Sequence, residues 1–130
     1  NVVRSGDALV IELGYEARKR IEAPHFGLTI RSETGTMVTD TSTWALGVDT
    51  PYVEAGHGTA TLTIDCVSLM PGRYVLSFWI EGVGPVCFDG LDHCCKLDIE
   101  TADVYGTGRG IDKQFGLVFL PCRWKLDAGP

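Results

Sequence analysis

Between residues 8 and 17 the chain alternates strictly: Leu9, Ile11, Leu13 and Tyr15 fall on one side, Ala8, Val10, Glu12 and Gly14 on the other. A helix would bring residues three and four apart onto one face, so a period of two over this length marks a half-buried strand. The pattern returns at residues 25–32, with Phe26, Leu28 and Ile30 inward and Gly27, Thr29 and Arg31 outward. It recurs at 59–69, where Ala60, Leu62, Ile64 and Cys66 oppose Thr59, Thr61, Thr63 and Asp65. At 73–81, Tyr74, Leu76, Phe78 and Ile80 point in, while Val75, Ser77, Trp79 and Glu81 point out. Shorter strands are expected near 37–43, 86–88, 95–101 and 115–120, with one helical turn near 91–94. Glu33-Thr34-Gly35-Thr36 reads as the turn of a hairpin, and residues 45–57 as a long loop. Strands at this spacing, punctuated by glycine and proline, predict an all-β fold: an immunoglobulin-like or jelly-roll, two-sheet antiparallel β-sandwich. Residues 1–130 form one domain of ordinary size in this reading, with 127–130 a frayed tail.

Tyr74, at the start of a strand just after the tight turn at Pro71-Gly72, is the arrangement of a tyrosine corner. There the hydroxyl ties back to upstream backbone as the chain changes sheets; the plain alternative is an ordinary buried tyrosine after a turn. If the corner forms, strand 73–81 leaves the sheet of 59–69 and joins 25–32, 37–43 and 95–101. The outer face of that sheet then carries Thr29, Arg31, Thr39, Thr41, Ser77, Trp79, Lys96 and Asp98, with Gly27 leaving room beside the indole. An indole covers the apolar C–H side of a pyranose, and polar neighbours take its hydroxyls, so such a face suits a sugar. An outward tryptophan serves equally beneath a loop or in a dimer interface. Trp44 and Tyr52 flank the long loop and divide between packing and ligand contact; Trp124 reads as a plug for one end of the core.

Seventeen acidic residues against 11 basic give a net charge of −6, which disfavours nucleic acid and anionic membranes as partners. Cys66, Cys87, Cys94, Cys95 and Cys122 are odd in number and irregularly spaced, which points to free thiols and a reducing, cytoplasmic compartment. No catalytic set emerges. His93 directly precedes Cys94-Cys95, and neighbours on a strand point to opposite faces, so they form no local dyad. Zinc spacings are missing, and the glycines at 106, 108 and 110 precede no amphipathic helix, so neither a metal nor a cofactor is expected.

Further motifs occur in a consistent order: Ser5-Gly6-Asp7, Pro24-His25-Phe26-Gly27-Leu28-Thr29-Ile30 and Thr39-Asp40-Thr41. They continue with Leu69-Met70-Pro71-Gly72-Arg73-Tyr74-Val75-Leu76, Phe88-Asp89, and Gly116-Leu117-Val118-Phe119-Leu120 running to Trp124. Together they resemble the C-terminal domain of Wzt-type ATPase subunits of ABC transporters that export O-antigen polysaccharide, over about residues 4–126. Asp40 stands where that family commonly has asparagine, and the cysteine-rich stretch 87–95 is unusual for it. The resemblance implies a non-catalytic carbohydrate-binding module, following an N-terminal nucleotide-binding domain and working beside the transporter's membrane subunit at the cytoplasmic side of the inner membrane. It implies recognition of the non-reducing end of the glycan, coupling chain completion to export, and a homodimer, in some members by exchange of a C-terminal strand. On this reading Trp79 stacks on a sugar ring, Arg31, Thr29, Thr39 and Ser77 bond hydroxyls, and Asp89, Trp44 and Tyr52 lie at the rim. The alternative is a dimerisation module of the ATPase subunit with no direct glycan contact.

Overall fold

The computed structural model describes residues 2–82, 91–112 and 115–126, with backbone alone for 91–94. Among the described residues nine strands succeed one another in chain order: β1 Val3–Arg4, β2 Leu9–Ala17, β3 Ile21–Glu22, β4 His25–Ser32, β5 Met37–Ser42, β6 Tyr52–Val53, β7 Gly56–Ile64, β8 Gly72–Glu81 and β9 Leu91–Glu100. No helix occurs among the described residues, and none there is long and apolar enough to cross a membrane. The fold is an all-β sandwich, as the alternation requires. One layer is a five-stranded sheet in the order β1-β9-β8-β4-β5; the facing layer is the pair β2-β7, and β3-β6 form a short separate ribbon. All pairings are antiparallel except β1 with β9.

The inward residues of β4 and β8, Leu28, Ile30, Tyr74, Leu76, Phe78 and Ile80, are buried with Val67, Leu69 and Ile99. Leu9, Ile11, Leu13, Tyr15, Ala60, Leu62 and Ile64 close over them from β2 and β7. Each such aliphatic or aromatic chain removed from water contributes about 1.5–3 kcal/mol, before the entropy of ordering it. Tyr74 fixes the corner: its hydroxyl donates to the Met70 carbonyl at 2.6 Å and lies 3.2 Å from the Leu117 carbonyl. Burial raises its phenol pKa above the usual value. The chain passes from β7 into the other layer at this corner, which is why β8 pairs with β4 rather than with β7.

Several expectations are corrected. The strand expected at 59–69 stops pairing at Ile64 and leaves Cys66 exposed; Val67 and Leu69 carry the burial beyond it. Residues 91–94 are strand rather than a helical turn, because β9 pairs with β8 as far as Phe78↔Leu91. Near 115–120 there is a single bridge, Leu69↔Val118. Trp124 is 89% exposed and plugs nothing. The strand expected at 86–88, and Asp89, lie outside the described residues.

The phase of β5 decides which of its side chains reach the outer face of the sheet. Its register sets Asp40 opposite Thr29 and Ser42 opposite Gly27, while Thr39 and Thr41 oppose the core residues Ile30 and Leu28. Directly opposed residues project to the same side of a sheet. Thr39 and Thr41 therefore face the second layer, where both border an apolar gap with Leu9, Ile11 and Leu62. Asp40 and Ser42 take the outer face instead. The stretch Val38-Thr39-Asp40-Thr41-Ser42 offers no alternation from which to read that phase, and a bulge between Ile30 and Arg31 displaces it further.

Candidate functional site

On the outer face of the five-stranded sheet, Trp79 of β8 stands directly opposite Gly27 of β4. A Cβ placed on Gly27 would lie 2.0 Å from both Cε2 and Cζ2 of the indole, so the ring lies down across the neighbouring strand, over the space glycine leaves open. At its far side the indole N–H donates to Asp40 Oδ1 on β5 at 3.2 Å, and the Thr29 hydroxyl donates to the same oxygen at 3.3 Å. The ring is thus held across three adjacent strands and is half-buried. Asp40 Oδ2 has no partner among the described residues.

Beside the indole opens a cleft of about 660 Å³, within the usual range for small-ligand sites. Among the described residues it is lined by Ala23, His25, Asp40, Ser42, Trp44, Trp79, Glu81 and Gly82. Trp44 sits on the turn that leaves β5 and is 73% exposed. Backbone bonds Thr43 N–H to Phe26 O and Val48 N–H to Thr43 O, with Ala45 N–H to Ser42 Oγ, pin that turn against β4. His25 is held through Nδ1, 3.1 Å from Thr43 Oγ1. Ala23 adopts a φ of 45°, rare for a residue with a side chain, and its N–H bonds the Pro51 carbonyl. The result is a groove lined by two indoles together with carboxylates, an imidazole and a hydroxyl.

Of the residues expected to form a site, Trp79, Trp44, Thr29 and Ser77 gather in or beneath this region. Thr29 and Ser77 are each 6% exposed, so Thr29 orients Asp40 rather than meeting solvent. Arg31 shares the outer face, opposite Val75, about 13 Å along the strand from Gly27. Thr39, expected on this face, is on the inner side instead, opposite Ile30. Tyr52 lies apart on β6, beneath the Arg20 guanidinium at 3.6 Å from its ring centre, with Arg20 also paired to Glu22 and Glu54. Farther along the outer face Arg73 grips Asp98 through two hydrogen bonds of 2.7 and 3.2 Å, holding that carboxyl below its usual range. Sequence reading passes over His25, Asp40, Ser42 and Glu81. His25 and Glu81 share the outward phase of Gly27 and Trp79 and are accessible to the same argument; Asp40 and Ser42 are hidden by the unreadable phase of β5. No group of three or more metal-binding side chains occurs among the described residues.

The fold is similar to a solved structure, the crystal structure of the C-terminal domain of wzt, with a TM-score of 0.75. The identity is 13%, with 96% of this chain and 73% of that one covered. No individually curated protein matches the sequence. The family model of the Wzt C-terminal domain matches residues 1–119, and the chain belongs to that family.

Proposed function

We propose that this domain is a non-catalytic glycan-binding module and that the Trp79–Trp44 cleft receives the end of a polysaccharide chain. The observation that carries this reading is the indole laid over Gly27 and tethered by Asp40: a rigid aromatic surface on an otherwise polar sheet face, with hydroxyl-binding groups around it. Ring C–H groups stack on such a surface while carboxylate and hydroxyl groups accept and donate at the sugar's edge. In the setting that family membership implies, the glycan is an O-antigen polysaccharide recognised on the cytoplasmic side. The domain follows the nucleotide-binding domain of the transporter's ATPase subunit and reports chain completion to the membrane subunit. Single-site affinity is expected in the micromolar to millimolar range, because a shallow polar groove displaces water that already bonds well.

The test is retention of the chain on O-antigen polysaccharide of complete and truncated length. Trp79→Ala should weaken it by roughly tenfold or more, and Gly27→Ala should do the same by lifting the indole without removing it. Undiminished retention by both variants sinks the assignment of this face.

A homodimer is favoured by a separate observation. Leu120, Trp124 and Leu126 are 69, 89 and 82% exposed, and β7 presents an edge that pairs with no strand among the described residues. Exposed apolar side chains and an open strand edge are each surfaces that a protein contact covers. Two sites on one polymer would then raise apparent affinity without new contacts.

A further inference from the structure

The outer face of the five-stranded sheet is divided by charge. Its cleft end carries Asp40 and Glu81, and no lysine or arginine lines the cleft among the described residues. Among the described residues the lysine and arginines of this face, Arg31, Arg73 and Lys96, lie toward the opposite end of β4, β8 and β9, in register with Val75 and Asp98. Arg73 is already committed to Asp98. Asp40 spends Oδ1 on Trp79 and Thr29, and among the described residues its Oδ2 is left to meet whatever enters.

Resting on the glycan reading, we propose that the cleft selects the charge of the terminal sugar: it takes an uncharged or free-amine end and rejects phosphorylated, sulfated or carboxylated ends. An anionic substituent seated beside Trp79 would meet the Asp40 and Glu81 carboxylates, with the His25 imidazole and no lysine or arginine beside them among the described residues. A hydroxyl meets the same carboxylates as a donor, and an ammonium does so with charge assistance, the stronger of the two bonds.

Asp40→Asn isolates the charge, because the amide oxygen can still accept from Trp79 and Thr29. The experiment is binding of the full chain, Asp40→Asn and Asp40→Asn/Glu81→Gln to a glycan array whose members end in amine-bearing, N-acetylated, hydroxyl-only, carboxylated, phosphorylated or sulfated sugars. The parent chain should retain amine- and hydroxyl-ended glycans and bind acid-ended ones at least about a hundredfold more weakly. Asp40→Asn should reduce the preference for amine over N-acetyl roughly tenfold while leaving hydroxyl-ended binding within a few-fold. The double variant should begin to admit acid-ended glycans. An acid-ended glycan among the best retained by the parent chain overturns the proposal, as does a charge preference unchanged in both variants; either result leaves the glycan reading standing. Retention of no glycan at all overturns both.

Discussion

The two layers of the sandwich are built to different standards. In the five-stranded sheet β4 and β8 are buried along half or more of their length, each flanked by paired strands on both sides. In the facing pair only Ala17 is buried, β7 contributes no buried residue, and the rest alternates between half-buried and exposed. Between the layers lie apolar gaps of about 500 and 320 Å³, the first edged by Ile30, Leu62 and Val118, the second by Leu13, Phe78 and Leu46. The broad sheet supplies the rigidity and holds the candidate site on its outer side; the narrow one covers its inner side incompletely. The two sides are joined at the turn after β5, since Ser42 borders both the cleft and the second gap and Leu46 borders both gaps.

That contrast can be broken by paired truncations. Leu28→Ala, deep in the broad sheet, should lower unfolding free energy by about 2–5 kcal/mol, and Leu62→Ala on β7 by less than half as much, because its surroundings can close around the loss. Equal losses in denaturant titrations would erase the distinction between the layers. Tyr74→Phe sharpens it at the corner that separates them. Removing the hydroxyl strips the Met70 carbonyl of its donor at a buried position, for an expected cost of about 1–3 kcal/mol, measurable as a lowered midpoint with an unchanged slope. A variant as stable as the parent would mean the corner does not hold the crossover. The smallest effect is expected on the exposed outer face. Because Arg73 depresses the Asp98 carboxyl, the pair stabilises the fold above the usual carboxylate range and loses that contribution as pH falls through the depressed value. Asp98→Asn should be almost indistinguishable from the parent at neutral pH, since both side chains are well exposed, and any difference should vanish in acid.

Legibility in the sequence divides along the same line. β2, β4, β7 and β8 announce themselves because one face is apolar and the other is not, and the tyrosine after Pro71-Gly72 correctly separates the layers. The Trp79–Gly27 pairing is half visible, since both residues share the outward phase and glycine leaves space. β5 is different. Its hydroxyl-rich run has no preferred face, so only the pairing with β4 decides that Asp40, not Thr39, meets the indole. Trp124 misleads for a related reason: a large aromatic beyond the last apolar run suggests a core contact, yet burial depends on neighbours supplied from elsewhere in the fold.

An indole already clamped at its N–H and seated on bare backbone has little motion left to surrender when something lands on it. Its immobilisation belongs to folding, so a visiting molecule need not supply it. The same clamp wires the ring to Asp40, and any charge change at that carboxylate should register in the colour of Trp79 emission, a built-in optical reporter separable from Trp44 and Trp124 by substitution.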